Sequence, residues 1–295
     1  MTRNEGSIWR SLSIPGVVWL FLFVVVPAYA VVAVAMGQID SLLQPVPQWN
    51  PIDWNVGFVK EAFTSVVPGG TYWPATRNTI VFVAVTVFLC FAIGYPVAYY
   101  VARKAGRWKG LLLLLIFLPF WVSYLMRMLA WIGLLAPDGY VNVVLGWIGI
   151  GHTEWLSGNP YSVIAALTYG YIPYFILPVY AGLDRIDQRL LEASRDLGAS
   201  PIKSFLRVTL PLSWPSILAG SVLIVLPMFG DYYTNDLISG SPHTNMLGNS
   251  VNLLVQGGSQ KNLGAAMVLV LMTILAVGML YYLWETRRQQ EKLAS

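Results

Sequence analysis

Residues 184–214 read DRIDQRLLEASRDLGASPIKSFLRVTLPLSW. The segment is too polar to cross a bilayer and too long for a tight turn, and its apolar residues recur at helical spacing. Two short helices fit it. Asp184 or Asp187 can cap the first, because a carboxylate oxygen accepts from exposed backbone N–H groups. Leu190, Leu191, Ser194 and Leu197 then share one face, with Arg189, Glu192, Arg195 and Asp196 largely elsewhere. Glu192 and Arg195 stand three apart and can pair. Gly198 supplies a left-handed stop, and Ser200 and Pro201 restart the chain as cap and first helical position. Ile202, Phe205 and Leu206 form a second apolar stripe that Pro211 ends. A helix pair with one apolar and one charged face needs a surface, either a protein partner or the bilayer.

Apolar runs flank this segment and recur along the chain. A spanning helix needs about 20 mostly apolar residues. Six stretches approach that: 15–36, 79–102, 111–135, 161–182, 213–229 and 265–284. The stretch 140–150 is apolar but too short to span, which places it at the interface or against the bundle. Composition agrees, with 56% hydrophobic and only 11% charged residues, against about 25% charged in an ordinary soluble domain. The expected fold is therefore an all-α membrane protein, one transmembrane domain over residues 1–295, with six helices and a polar loop, 184–211, between the fourth and fifth.

Six spans put both termini on one side. Of 18 Lys and Arg residues, all but Lys60, Arg77, Arg127 and Lys261 then fall on that side, while the acidic residues divide evenly. Excess Lys and Arg marks the cytoplasmic side, so both termini and the 184–211 loop are expected there. An odd number of spans would spoil the asymmetry. The first apolar run is longer than the ~7–15 residues of a signal-peptide core, which favours an uncleaved anchor. Cys90 lies in an apolar run and reads as packing; His152 and His243 are far apart and lack metal-site spacing. Prolines 27, 96, 119, 173, 178 and 227 fall in the spans and suit either hinges or ordinary membrane-helix irregularity.

The polar loop resembles the "EAA" loop of ABC importer permeases, whose pattern is Glu-Ala-Ala, three residues, Gly, nine residues, Ile, one residue, Leu-Pro. This chain gives Glu192-Ala193-Ser194, Gly198, Val208 and Leu210-Pro211 at the same spacing, with Ser for Ala and Val for Ile as departures. The resemblance implies that the loop forms coupling helices docking on an ATP-binding subunit, with Glu192 reaching that subunit and Gly198 permitting the turn. The chain has no G-x-x-x-x-G-K-[ST] phosphate loop, so ATP and Mg are expected on the partner, with no cofactor and no enzymatic activity in this chain.

Over nearly its whole length the chain is similar to the permeases of spermidine/putrescine importers, notably in LLLIFLPFWVSYLMRMLAW, LLEASRDLGAS, YYTNDLISG and LGNSV. That resemblance implies a bacterial inner-membrane assembly with a second permease subunit, two ATP-binding subunits and an extracytoplasmic substrate-binding protein; nucleic acid is not a partner. A polyamine needs carboxylates for its ammonium groups and aromatic faces for its methylenes. Asp231, Tyr232, Tyr233 and Asp236 at the outer end of the fifth span, with Trp121 and Tyr124 in the third, are the candidate path. If helical there, Tyr232 and Asp236 share a face. Aromatics also belong at membrane interfaces for their own sake. Arg127, 16 residues after Leu111, lies roughly 24 Å along a helix, near the outer edge. It can pair with Asp231 or Asp236, or snorkel to headgroups. An alternative substrate is another small polar solute, whether amino acid, quaternary amine or anion, with Arg127 as its contact.

Overall fold

The computed structural model describes residues 5–42, 44–257 and 260–294; Arg3 and the side chains of Arg10, Arg287 and Lys292, counted in the charge asymmetry, lie outside the described residues. Among the described residues, six stretches are long and apolar enough to cross a membrane: Ser13–Ala35, Trp73–Arg103, Tyr124–Trp147, Pro160–Arg185, Pro201–Phe229 and Lys261–Trp284. The chain clusters into two compact units, one of residues 1–73 with 250–274, the other of 74–249 with 275–295.

The first unit opens with α1 (Glu5–Leu20), a π-turn over Phe21–Val25, and α2 (Val26–Ala35). The π-turn immediately precedes Pro27. Val26 N–H reaches back five residues to the Phe21 carbonyl, and this widened turn makes room for the proline ring against the preceding turn. Large apolar side chains from Ile14 to Val26 are exposed along this helix; a face of that character suits lipid rather than water. Beyond it a short hairpin pairs β1 (Gln38–Ile39) with β2 (Pro45–Val46). The hairpin leads to α3 (Gly57–Val66). Asn262 donates to the Val34 carbonyl at 2.8 Å and so ties the last span to the end of the first.

The second unit holds α4 (Trp73–Arg103) from Pro74 on, α5 (Lys109–Phe117), α6 (Tyr124–Leu135), α7 (Tyr140–Trp147), α8 (Pro160–Arg185), α9 (Gln188–Asp196), α10 (Pro201–Ser204), α11 (Leu210–Phe229) and α12 (Tyr233–Ile238). Two further helices, α13 (Leu247–Gln256) and α14 (Lys261–Ala294), cross from one unit to the other. The expected unbroken helix over 111–135 is interrupted: a 3-10 turn at Leu118–Trp121 and extended backbone at Val122 separate α5 from α6. Pro119 lacks the N–H that would continue α5, which is why the break falls there.

The core of this unit is a cluster that includes Phe82, Cys90, Met128, Leu167, Phe175, Val179, Ile224 and Met228. Cys90 is fully buried within it, a packing residue as its apolar run implied. Helices α8 and α11 approach closely through small residues: a Cβ on Gly182 would lie 1.7 Å from the Ser216 hydroxyl. Such contacts replace the hydrophobic driving force that lipid cannot supply. Tyr95 of α4 and Ser213 of α11 share a buried 2.9 Å hydrogen bond.

Candidate functional site

The helix pair forms largely as its sequence dictates. The Asp187 carboxylate caps α9 by accepting from Arg189 N–H at 3.0 Å, while Asp184, the other cap candidate, accepts from the Lys109 ammonium instead. That bond holds the Lys109 ammonium above the usual lysine range. Gly198 has φ +81°, and the N–H groups of Gly198 and Ala199 close the helix on the carbonyls of Arg195 and Ser194. Ser200 caps the next turn and Pro201 opens it. The hydroxyls of Ser194 and Ser204, 2.6 Å apart, pin the two helices together.

Three expectations change here. Pro211 does not end the second helix; a π-turn over Phe205–Thr209 carries the chain straight into α11. As at Pro27, the N–H just before the proline bonds five residues back, from Leu210 to Phe205, and the wider turn admits the ring. Glu192 and Arg195, both exposed, form no ion pair among the described residues, since solvated side chains gain little from one. The apolar stripe also divides. Phe205 turns inward, 5.9 Å and 5.8 Å from the rings of Tyr95 and Tyr99, whereas Leu190, Leu197, Ile202 and Leu206 remain exposed.

The second cluster surrounds Asp231. This carboxylate is 9% exposed and accepts from Thr234 N–H at 3.0 Å, from the Thr234 hydroxyl at 2.7 Å and from the Tyr171 hydroxyl at 3.0 Å. Tyr124, at the start of α6, reaches it at 3.5 Å and bonds the Thr234 hydroxyl. Asp231 therefore fastens α6, α8 and α12 together. A cavity of about 280 Å³ opens beside it, lined by Arg127 and Asp231 with Tyr124, Tyr171, Tyr174, Tyr232 and Tyr233. The rings of Tyr232 and Tyr233 stack 4.3 Å apart.

The following segment is held by close packing. A Cβ on Gly248 would lie 2.7 Å from the Asp231 carbonyl oxygen. Asn249 donates to the Tyr232 carbonyl at 3.0 Å and to the Asp236 carboxylate at 2.7 Å. Asn78 and Thr79 of α4 bond the backbone at His243, Asn245 and Leu247. The sequence stretch YYTNDLISG and residues 247–249 thus fold together.

Five of the seven expected path residues line the cavity: Asp231, Tyr232, Tyr233, Tyr124 and Arg127. Trp121, 79% exposed, does not, because the break after Pro119 carries it out of line with α6. Asp236 is exposed and engaged by Asn249 instead. Tyr232 sits just ahead of α12, and Asp236 N–H bonds its carbonyl. Arg127 forms no ion pair with either aspartate among the described residues; it is 8% exposed, over the rings of Phe120 and Tyr124. Sequence reasoning missed Tyr171 and Tyr174, whose spacing of three about Pro173 was the available signal.

A sequence family described as binding-protein-dependent transport system inner membrane component matches residues 92–290. The chain belongs to this family. It is a multi-pass inner-membrane component of a transport system, an ABC-type permease subunit. It is 30% identical to the spermidine/putrescine transport system permease protein PotB of Salmonella typhimurium, over 99% of this chain and 98% of that one. It is 33% identical to the Haemophilus influenzae protein of the same name, over 76% of this chain and 75% of that one. Among solved structures, a chain of the bacterial alginate ABC transporter in complex with alginate pentasaccharide-bound periplasmic protein superposes with a TM-score of 0.75 at 16% identity, covering 97% of this chain and 96% of that chain. The permease fold is shared at that distance.

Proposed function

We propose that this permease subunit belongs to an ATP-driven importer that moves spermidine or putrescine across the inner membrane by alternating access. The observation that carries the substrate is the near full-length similarity to permeases named for spermidine/putrescine transport. Residues 1–295 act as one transmembrane domain with both termini cytoplasmic, supported by the Lys and Arg asymmetry. A second permease subunit, two ATP-binding subunits and an extracytoplasmic binding protein complete the machine; ATP and Mg are bound, and ATP hydrolysed, on the partner.

The α9–α10 pair is the coupling element. Its exposed Leu190, Leu197, Ile202 and Leu206 offer an apolar face, and exposed Glu192 and Ala193 share this segment with Ser194 and Gly198, which leads into Leu210 and Pro211 at the start of α11. The continuous helix from α10 through the π-turn into α11 supports direct transmission of ATPase closure to the fifth span as a rigid-body motion. The Asp231 cavity is the outer part of the substrate path. Its tyrosine faces suit methylenes and ammonium groups, and an arriving ammonium replaces a tyrosine hydroxyl on the carboxylate.

The test is ATP hydrolysis by the purified assembly in proteoliposomes. Binding protein loaded with spermidine or putrescine is expected to stimulate it. Stimulation solely by an amino acid, a quaternary amine or an anion would reject the polyamine and keep the importer.

A further inference from the structure

The Asp231 cavity contains a cation of its own. Arg127 is 8% exposed, and its Nε and Nη1 are shut off from solvent with no acceptor among the described residues. Asp231 lines the same cavity, yet it does not answer Arg127, because its oxygens already accept from Thr234, Tyr171 and Tyr124. What holds the guanidinium is aromatic: its carbon lies 4.3 Å from the Phe120 ring centre and 5.2 Å from that of Tyr124. Two of its three nitrogens have thus given up hydration without hydrogen-bond return, which is costly for a buried cation. Cation–π contact recovers part of that cost.

Without Arg127 the cavity would be a carboxylate ringed by tyrosines, the composition that traps an ammonium. With it, the two formal charges cancel and one tyrosine face is already taken. We infer that Arg127 is a resident competitor for the substrate's ammonium group, occupying the aromatic cage until a polyamine displaces it. The inference rests on the polyamine reading and deepens it. Its consequence is kinetic: a polycation crosses a site whose charge is already balanced, so it is passed on rather than retained.

The charge-neutral variant Arg127→Gln is expected to bind putrescine about tenfold or more tighter than wild type in the purified assembly without binding protein, by equilibrium dialysis with radiolabelled putrescine. Arg127→Lys, which keeps the charge, is expected to bind as weakly as wild type. A Gln variant that binds no tighter, or a Lys variant that binds as tightly as Gln, overturns the inference. A second readout uses the wild-type assembly alone. Saturating putrescine is expected to raise phenylglyoxal modification of Arg127, measured by peptide mass spectrometry, because the displaced guanidinium becomes reachable. Unchanged modification overturns the inference even where the Gln variant does not assemble. Absence of polyamine transport by wild type with loaded binding protein overturns the parent reading and this one with it. Normal transport with both readouts flat overturns this one alone.

Discussion

The Tyr171 hydroxyl donates to the Asp231 carboxylate at 3.0 Å, joining the fourth span to the segment that follows the fifth. Asp231 is buried and Asp236 is exposed, although both stand in one short acidic, aromatic run. Tyr171→Phe removes a hydrogen bond to a charged group and is expected to cost roughly 1.5–3 kcal/mol, seen as a lower thermal midpoint of the detergent-purified protein. Asp231→Ala is expected to abolish uptake where Asp236→Ala retains most of it. Equal uptake by the two alanine variants would contradict the assignment of the path.

Gly248→Ala tests the close approach behind that site. The added methyl would meet backbone, the Asp231 carbonyl at 2.7 Å, which cannot rotate away. The expected cost is about 1–3 kcal/mol, as for overpacking elsewhere. Radiolabelled polyamine uptake should fall with it, since the displaced backbone carries Asp231.

Gly182→Ala probes the α8–α11 contact. Its Cβ would overlap the Ser216 hydroxyl at 1.7 Å. The single variant is expected to lower stability in a thermal-shift assay, and Gly182→Ala with Ser216→Gly to restore most of it. Failure of the second change to rescue would place the strain somewhere other than this pair.

Gly198→Ala separates folding from coupling. Among the described residues nothing beyond its chain neighbours lies within 4 Å of a Cβ there, so the cost is the backbone's alone, φ +81°, or about 1–2 kcal/mol. The assembly is expected to form and to hydrolyse ATP, with stimulation by loaded binding protein reduced. Glu192→Ala should share the phenotype, because its side chain is exposed.

Lys109→Gln addresses pH. The hydrogen bond to Asp184 raises the lysine's pKa, so the folded state favours the protonated form. That contribution is fully present below the ordinary lysine value near ~10.4 and is lost only as pH rises through the higher folded value. Both partners are partly exposed, and the variant should cost less than about 1 kcal/mol. Thermal midpoints measured from pH 6 to 8 are expected to show no pH-dependent difference from wild type.

The helix pair was legible because its determinants are local. Asp187, Gly198, Ser200 and Pro201 each act on backbone within three residues of themselves, and all four do so in the structure. Two prolines depart from the expectation: Pro211 does not end the second helix of the pair, and elsewhere the helix over 111–135 breaks just after Pro119. The turn before Pro211 widens over Phe205–Thr209, whereas the chain around Pro119 tightens into a 3-10 turn and then extends at Val122.

By itself the sequence determined the number of spans and the segment between the fourth and fifth, because hydropathy and capping are summed over neighbours along the chain. Only the tertiary structure decided which of two nearby aspartates is buried, that Tyr171 from another span supplies its donor, and that Arg127 answers aromatic rings rather than a carboxylate. Those outcomes depend on which side chains meet across helices dozens of residues apart. Burial then sets the worth of each contact, through the cost of leaving a charge unpaired out of water.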